Sequence, residues 1–172
     1  MGTAQVSDLD RTASGQAEVG GQYLTFILAG EEYGVDILRV QEIRGWERAT
    51  RLPNTPAFVK GVINLRGTIV PIIDLRERFG LESAEYGRTT VVVVLRVQRG
   101  NKSRVMGVVV DAVSDVYNLP EAEIKETPEF GTSMEAQFAK GLATVDQKMI
   151  ILLDIDRLIN ERELSTLDAP TH

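Results

Sequence analysis

The sequence predicts a mainly β protein folded as antiparallel barrels or a sandwich, and three observations lead there. Ten short apolar runs follow one another between Tyr23 and Leu153, with turn signals roughly every eight to twelve residues. Helical periodicity is scarce, which argues against a parallel βαβ array. Two stretches of the chain also match each other without a gap, so a pair of related halves is expected.

Residues 1–20 are small and polar and read as a flexible tail. From Gln22 the texture changes to apolar runs punctuated by glycine and proline. The first half offers Tyr23–Leu28, Tyr33–Ile37, Val40–Trp46, Val62–Leu65 and Thr68–Leu75 as strands. In the third of these, apolar residues and a charge alternate between faces. If it lies at a sheet edge, its apolar side is covered only by another protein. The second half offers Thr89–Val97, Arg104–Val110, Ala112–Tyr117, Gly141–Val145 and Lys148–Leu153. Short turns are expected at Leu75–Phe79 and Met134–Phe138. Asp154–Leu164 has the best helical pattern, with Ile155, Leu158, Ile159 and Arg162 at three- and four-residue spacing behind a capping Asp154.

The internal match runs from Phe58 through Lys60, Gly61 and Asp74 onto Phe138, Lys140, Gly141 and Asp154, at a constant offset of 138 − 58 = 80. A looser one joins Tyr33-Gly34-Val35 to Met106-Gly107-Val108, at 107 − 34 = 73. Two halves side by side create a groove between them, and such junctions favour binding.

Composition narrows the function. At 172 residues the chain suits one compact domain or two small lobes, long enough to bury a core unaided. It has no cysteine, which removes thiol catalysis, zinc ribbons and disulfide scaffolds, and its one histidine is the terminal His172. The charge balance, 19 − 25 = −6, lacks the basic field of a nucleic-acid binder. No signal peptide is evident, and the longest apolar run, Val91–Leu95, is far short of a membrane span, so a soluble intracellular protein without direct membrane insertion is expected.

The motifs point away from catalysis. Gly30–Gly34 and Asn64–Gly67 match no phosphate-binding loop, and Gly34 and Gly67 read as turn or bulge positions where a side chain would obstruct the backbone. Among the carboxylates Asp36, Glu42, Asp74, Asp111 and Asp154, the repeat-related Asp74 and Asp154 suit helix caps, and Asp111 a turn. Arg66 occupies an exposed turn from which its guanidinium reaches a partner carboxylate. Arg39, Arg44, Arg48 and Arg51 form a steering patch for an acidic partner. Trp46, Tyr33 and Phe130 are either partner anchors or core.

Three segments carry a family resemblance: Gly30–Gly45, Asn54–Gly61 and Asn64–Leu75. With Gly107–Val116 and Pro128–Phe130 they closely resemble the bacterial chemotaxis coupling proteins of the CheW family. The resemblance spans roughly 22–167; the polar Gln98–Ser103 departs from it as a lengthened hairpin, and the amino tail is unmatched. It implies two SH3-like five-stranded β-barrels packed side by side, with short helices and a C-terminal helix. One domain would then cover 21–167, with approximate halves 21–85 and 86–160 exchanging a strand, and 168–172 as a tail. It further implies a non-catalytic, cofactor-free cytoplasmic adaptor recruited to membrane-associated receptor arrays. There it would tether the regulatory domain of the histidine kinase CheA to the hairpin tips of chemoreceptors. Carried across by position, Glu42, Arg66, Val91, Val92, Gly107 and Val113 would line the receptor groove. Val40, Ile43, Lys60 and Gly61, with Lys125 and Phe130 on the second half, would face the kinase. Two other readings stay open: a related scaffold for a non-motility kinase pathway, and a barrel enzyme with paired carboxylates.

Overall fold

In a computed structural model that describes residues 20–126 and 137–158, ten strands form two five-stranded sheets. They are β1 (Gly20–Leu28), β2 (Glu31–Asp36), β3 (Val40–Gly45), β4 (Val59–Leu65), β5 (Thr68–Asp74), β6 (Val91–Arg99), β7 (Lys102–Val110), β8 (Ala112–Pro120), β9 (Ala139–Val145) and β10 (Lys148–Leu153). The first sheet has the order β9-β10-β2-β1-β8 and the second β3-β6-β7-β5-β4. Each expected apolar run lies on a strand. One four-residue helix, α1 (Leu75–Arg78), fills the first expected turn, and a 3-10 turn at Ile155–Arg157 stands at the start of the segment expected to be helical. The rest of the expected Asp154–Leu164 helix, most of the Met134–Phe138 turn and the amino-terminal tail fall on residues outside the described ones. None of the described helices is long and apolar enough to cross a membrane.

Turn chemistry explains the hairpins. Ala29-Gly30, Arg66-Gly67 and Asp146-Gln147 all take positive φ, the two-residue turn whose twist matches that of the flanking strands. Gln98–Ser103 is mostly strand, with Arg99 opposite Lys102 and only Gly100-Asn101 in the turn, so the polar stretch lengthens the strands and not the loop.

Pairing departs from the all-antiparallel expectation in two places: β10 runs parallel to β2, and β5 parallel to β7. These contacts join strands far apart in sequence, which local periodicity does not report. They carry the repeat into three dimensions. Leu152 lies opposite Gly34 as Ile72 lies opposite Gly107, with 152 − 72 = 80 and 107 − 34 = 73. A hairpin crosses in each direction: β1–β2 joins β8, β9 and β10, while β6–β7 joins β3, β4 and β5. Gly34 is therefore neither turn nor bulge; a Cβ there would meet Leu152 Cδ2 at 2.9 Å.

Three apolar cores follow. Val70, Ile72, Val92 and Val94 fill the second sheet's own core, and Tyr23, Leu119, Ile150 and Leu152 fill the first sheet's. Between the sheets lies a larger shared core containing Phe26, Tyr33, Val93, Leu95, Val108 and Leu153. The run Val91–Leu95 is continuous because its strand is covered on both faces. Charged contacts close the joint. Arg76 grips Asp111 through Nε at 2.9 Å and a second nitrogen at 2.7 Å, while Asp111 also accepts from Ala29 N. Arg39 grips Asp156 in the same two-pronged way. The Arg78 guanidinium lies over the repeat-related rings of Phe58 and Phe138, at 4.7 and 5.0 Å.

Candidate functional site: a partner-binding surface on the second sheet

Strand β3 is an edge of the second sheet, so its outer backbone and part of its side chains are open to a partner. Glu42 stands opposite Val94, whose side chain belongs to the second sheet's core, which sets Glu42 at the rim of that core. There it pairs with Arg66, presented by the β4–β5 turn, and with Arg44 at 3.2 Å. Arg44 in turn reaches Glu47 at 2.8 Å. The Arg66 guanidinium, and then Arg44, hold the Glu42 carboxyl below the usual carboxylate range. Glu42 is half-buried, while Arg66 stays mostly exposed, leaving nitrogen donors for an incoming carboxylate.

On the other face of β3 the residues are apolar. Val40 opposes Leu95 and Ile43 opposes Val93, both partners being shared-core residues. Val40, Val91 and Val113 pack half-buried against that core, and Ile43 is exposed. Val113 comes from the first sheet, where it opposes Phe26. Val40 and Val91 lie at opposite ends of the β3–β6 pairing, opposite Leu95 and Gly45, and Val113 reaches the same shared core from the first sheet, so the structure sets these three around that core without joining them and Ile43 in one patch.

The remaining predicted residues fall elsewhere. Val92 is 2% exposed inside the second sheet's core. Gly107 is buried beside it, where a Cβ would meet Val92 Cγ1 at 2.6 Å and Ile72 Cδ1 at 2.8 Å, so both shape the surface from beneath. Gly61 is buried with φ of 135°, and a Cβ there would lie 2.1 Å from Thr50 O. Lys60 pairs with Glu77 at 2.5 Å. Exposed Lys125 belongs to the first sheet, its backbone bridged to Leu142 of β9. Phe130 lies outside the described residues. Of the other aromatic candidates, Tyr33 is core, stacked on Phe26 at 6.0 Å, and Trp46 packs on Tyr86 at 4.4 Å.

Sequence reasoning named Ile43 but missed its exposed repeat counterpart Val116, and it missed the exposed pair Ile69 and Met149 altogether. Ile43 and Val116 share the offset 116 − 43 = 73, and Ile69 and Met149 share 149 − 69 = 80; all four side chains are at least 43% exposed. The repeat aligned Ile69 with Met149, each the second residue of a strand leaving a tight turn, where an apolar side chain can stand clear of the core.

The carboxylates weighed for catalysis all have structural duties. Asp74 and Asp154 accept from the backbone N–H groups of Glu77 and Asp156 as caps, and Asp36 does so from Leu38. Asp74 also accepts from the Tyr86 hydroxyl at 2.5 Å; burial, with that bond, pushes the phenol pKa far up. Among the described residues no group of histidine, aspartate and glutamate is arranged to hold a metal.

Comparison with known proteins agrees with this architecture. The family model of the CheW-like domain matches residues 22–163. The chain is 47% identical over 150 residues to the chemotaxis protein CheW of Klebsiella aerogenes, covering 87% of this chain and 88% of that one. It is 41% identical over 142 residues to a probable chemotaxis protein CheW of Rhizobium etli, covering 83% and 89%. The crystal structure of the scaffolding protein TtCheW from Thermoanaerobacter tengcongensis superposes with a TM-score of 0.75 at 33% identity, over 84% of this chain and 96% of that one. The chain therefore belongs to the CheW-like domain family, whose members are non-catalytic adaptors of chemotaxis signalling.

Proposed function

We propose that this adaptor couples the cytoplasmic tips of chemoreceptors to the regulatory domain of the histidine kinase CheA, working in the cytoplasm at membrane-associated receptor arrays. The observation that carries the reading is that the edge strand β3 holds Glu42, paired with the exposed Arg66 of the β4–β5 turn, on one face and Val40 and Ile43 on the other. Glu42, Arg66, Val91 and Val113 serve the receptor, with Val92 and Gly107 supporting them from the core. Val40, Ile43, Lys60, Lys125 and Phe130 serve the kinase, and Gly61 holds the backbone of that side. We further read residues 21–167 as one CheW-like unit with each sheet closed into an SH3-like barrel. The backbone bridges Thr50–Val62 and Lys125–Leu142 support closure, since each ties the segment after one sheet's edge strand to the opposite edge.

The mechanism is linkage. Holding two partners on one rigid body raises the effective concentration of each at the other. A receptor's state passes through only if the contacts differ between the kinase's active and inactive forms. Reconstitution with receptor fragments and kinase tests this: adding the chain is expected to restore receptor control of autophosphorylation. Control that is equal with and without the chain overturns the reading.

A further inference from the structure

A cleft of about 500 Å³ opens beyond the end of β3, lined by Trp46, Arg48, Ala49, Arg51, Lys60 and Tyr86. Its floor is aromatic, with the Trp46 and Tyr86 rings 4.4 Å apart and tilted by 57°. Tyr86 is anchored by its bond to buried Asp74, so the floor is rigid. Its rim is basic. Lys60 is engaged by Glu77, and Arg44, near the end of β3, is engaged by Glu42 and Glu47. Arg48 and Arg51 are exposed and make no ion pair with a described residue. Two free guanidinia beside an aromatic cleft, on a chain whose net charge is −6, form a local field opposite to that of the whole molecule.

We propose that this cleft binds an acidic segment of a protein partner, an apolar or aromatic side chain entering over Trp46 and Tyr86 while flanking carboxylates pair with Arg48 and Arg51. The shape favours a peptide over a lipid surface, because the apolar residues line a concavity and do not protrude. The charge favours it over nucleic acid, because two guanidinia are too few to offset the acidic remainder of the chain. The cleft shares Lys60 with the residues read as serving the kinase, yet its test, a peptide titration of the chain alone, does not depend on the adaptor role.

Trp46 is the chain's one tryptophan and reports directly on the cleft. The full chain is titrated with a capped heptapeptide Glu-Asp-Glu-Phe-Glu-Asp-Glu, with its Gln/Asn analogue, and with phosphatidylglycerol vesicles. The acidic peptide is expected to give a saturable change in Trp46 emission that weakens by about tenfold or more as salt rises from roughly 0.05 to 0.5 M. The neutral analogue should bind at least about tenfold more weakly. The variant carrying both Arg48→Glu and Arg51→Glu should lose the response while melting like the parent, since both side chains are exposed. A response equal for the two peptides, an unaltered response in that variant, or a response to vesicles alone overturns the proposal. So does silence with the acidic peptide.

Discussion

Arg66 takes φ of 51°, a left-handed conformation that asparagine adopts more readily than arginine. Arg66→Asn therefore separates function from folding. Receptor-fragment affinity is expected to fall by about tenfold, because a charge-assisted contact is lost. The melting temperature should hold or rise, as thermal unfolding will show; an unchanged affinity removes Arg66 from the surface. Gly61 behaves in the opposite way. A methyl group there would be driven into the Thr50 carbonyl at a φ of 135°, and that carbonyl is backbone that cannot rotate away. Gly61→Ala is expected to lose on the order of 3 kcal/mol or more in urea unfolding, with any loss of kinase binding following from that. The sequence made Gly61 visible as a repeat partner of Gly141, but its reason is a contact with Thr50, eleven residues away, through a bridge that no local pattern announces. Arg66 was readable because its turn lies between two apolar strands, whereas its pairing with Glu42 required the strand order.

At the scale of elements, local pattern located all ten strands, since each needs only its own apolar residues and a turn at its end. Neighbours were a different matter. The parallel pairings of β2 with β10 and of β5 with β7 are decided by which faces fit, across many intervening residues. The joint between sheets also rests on ion pairs that the sequence did not match up, Arg76 with Asp111 above all. Arg76 holds the Asp111 carboxyl below its ordinary value of about 3.9. Because the folded pKa is depressed, the clamp stabilises fully above the unfolded value and fades as pH falls through the folded one. Stability should therefore drop as pH is lowered from about 5 towards 3, and Asp111→Asn should flatten that part of the curve. Urea midpoints measured across this range check it; parallel curves for parent and variant would show that the clamp contributes nothing.

For the whole molecule, the exchanged hairpins mean that neither half owns a complete sheet. Fragments 20–85 and 86–158 are expected to lack cooperative unfolding when separate and to regain it when mixed, read by circular dichroism and size exclusion. Two separately folded fragments would contradict the exchange. The repeat made two related units legible, and the family resemblance implied a borrowed strand; the crossing of whole hairpins became visible only with the sheets in hand. That crossing bears on how the chain is made. The start of its parallel neighbour at Lys148 follows the end of β2 at Asp36 by 148 − 36 = 112 positions. At ribosomal speed that interval lasts roughly 5–20 s. Through it the nascent β1–β2 ribbon waits with an oily face and an open edge, so a chaperone at the exit tunnel meets this segment first and longest.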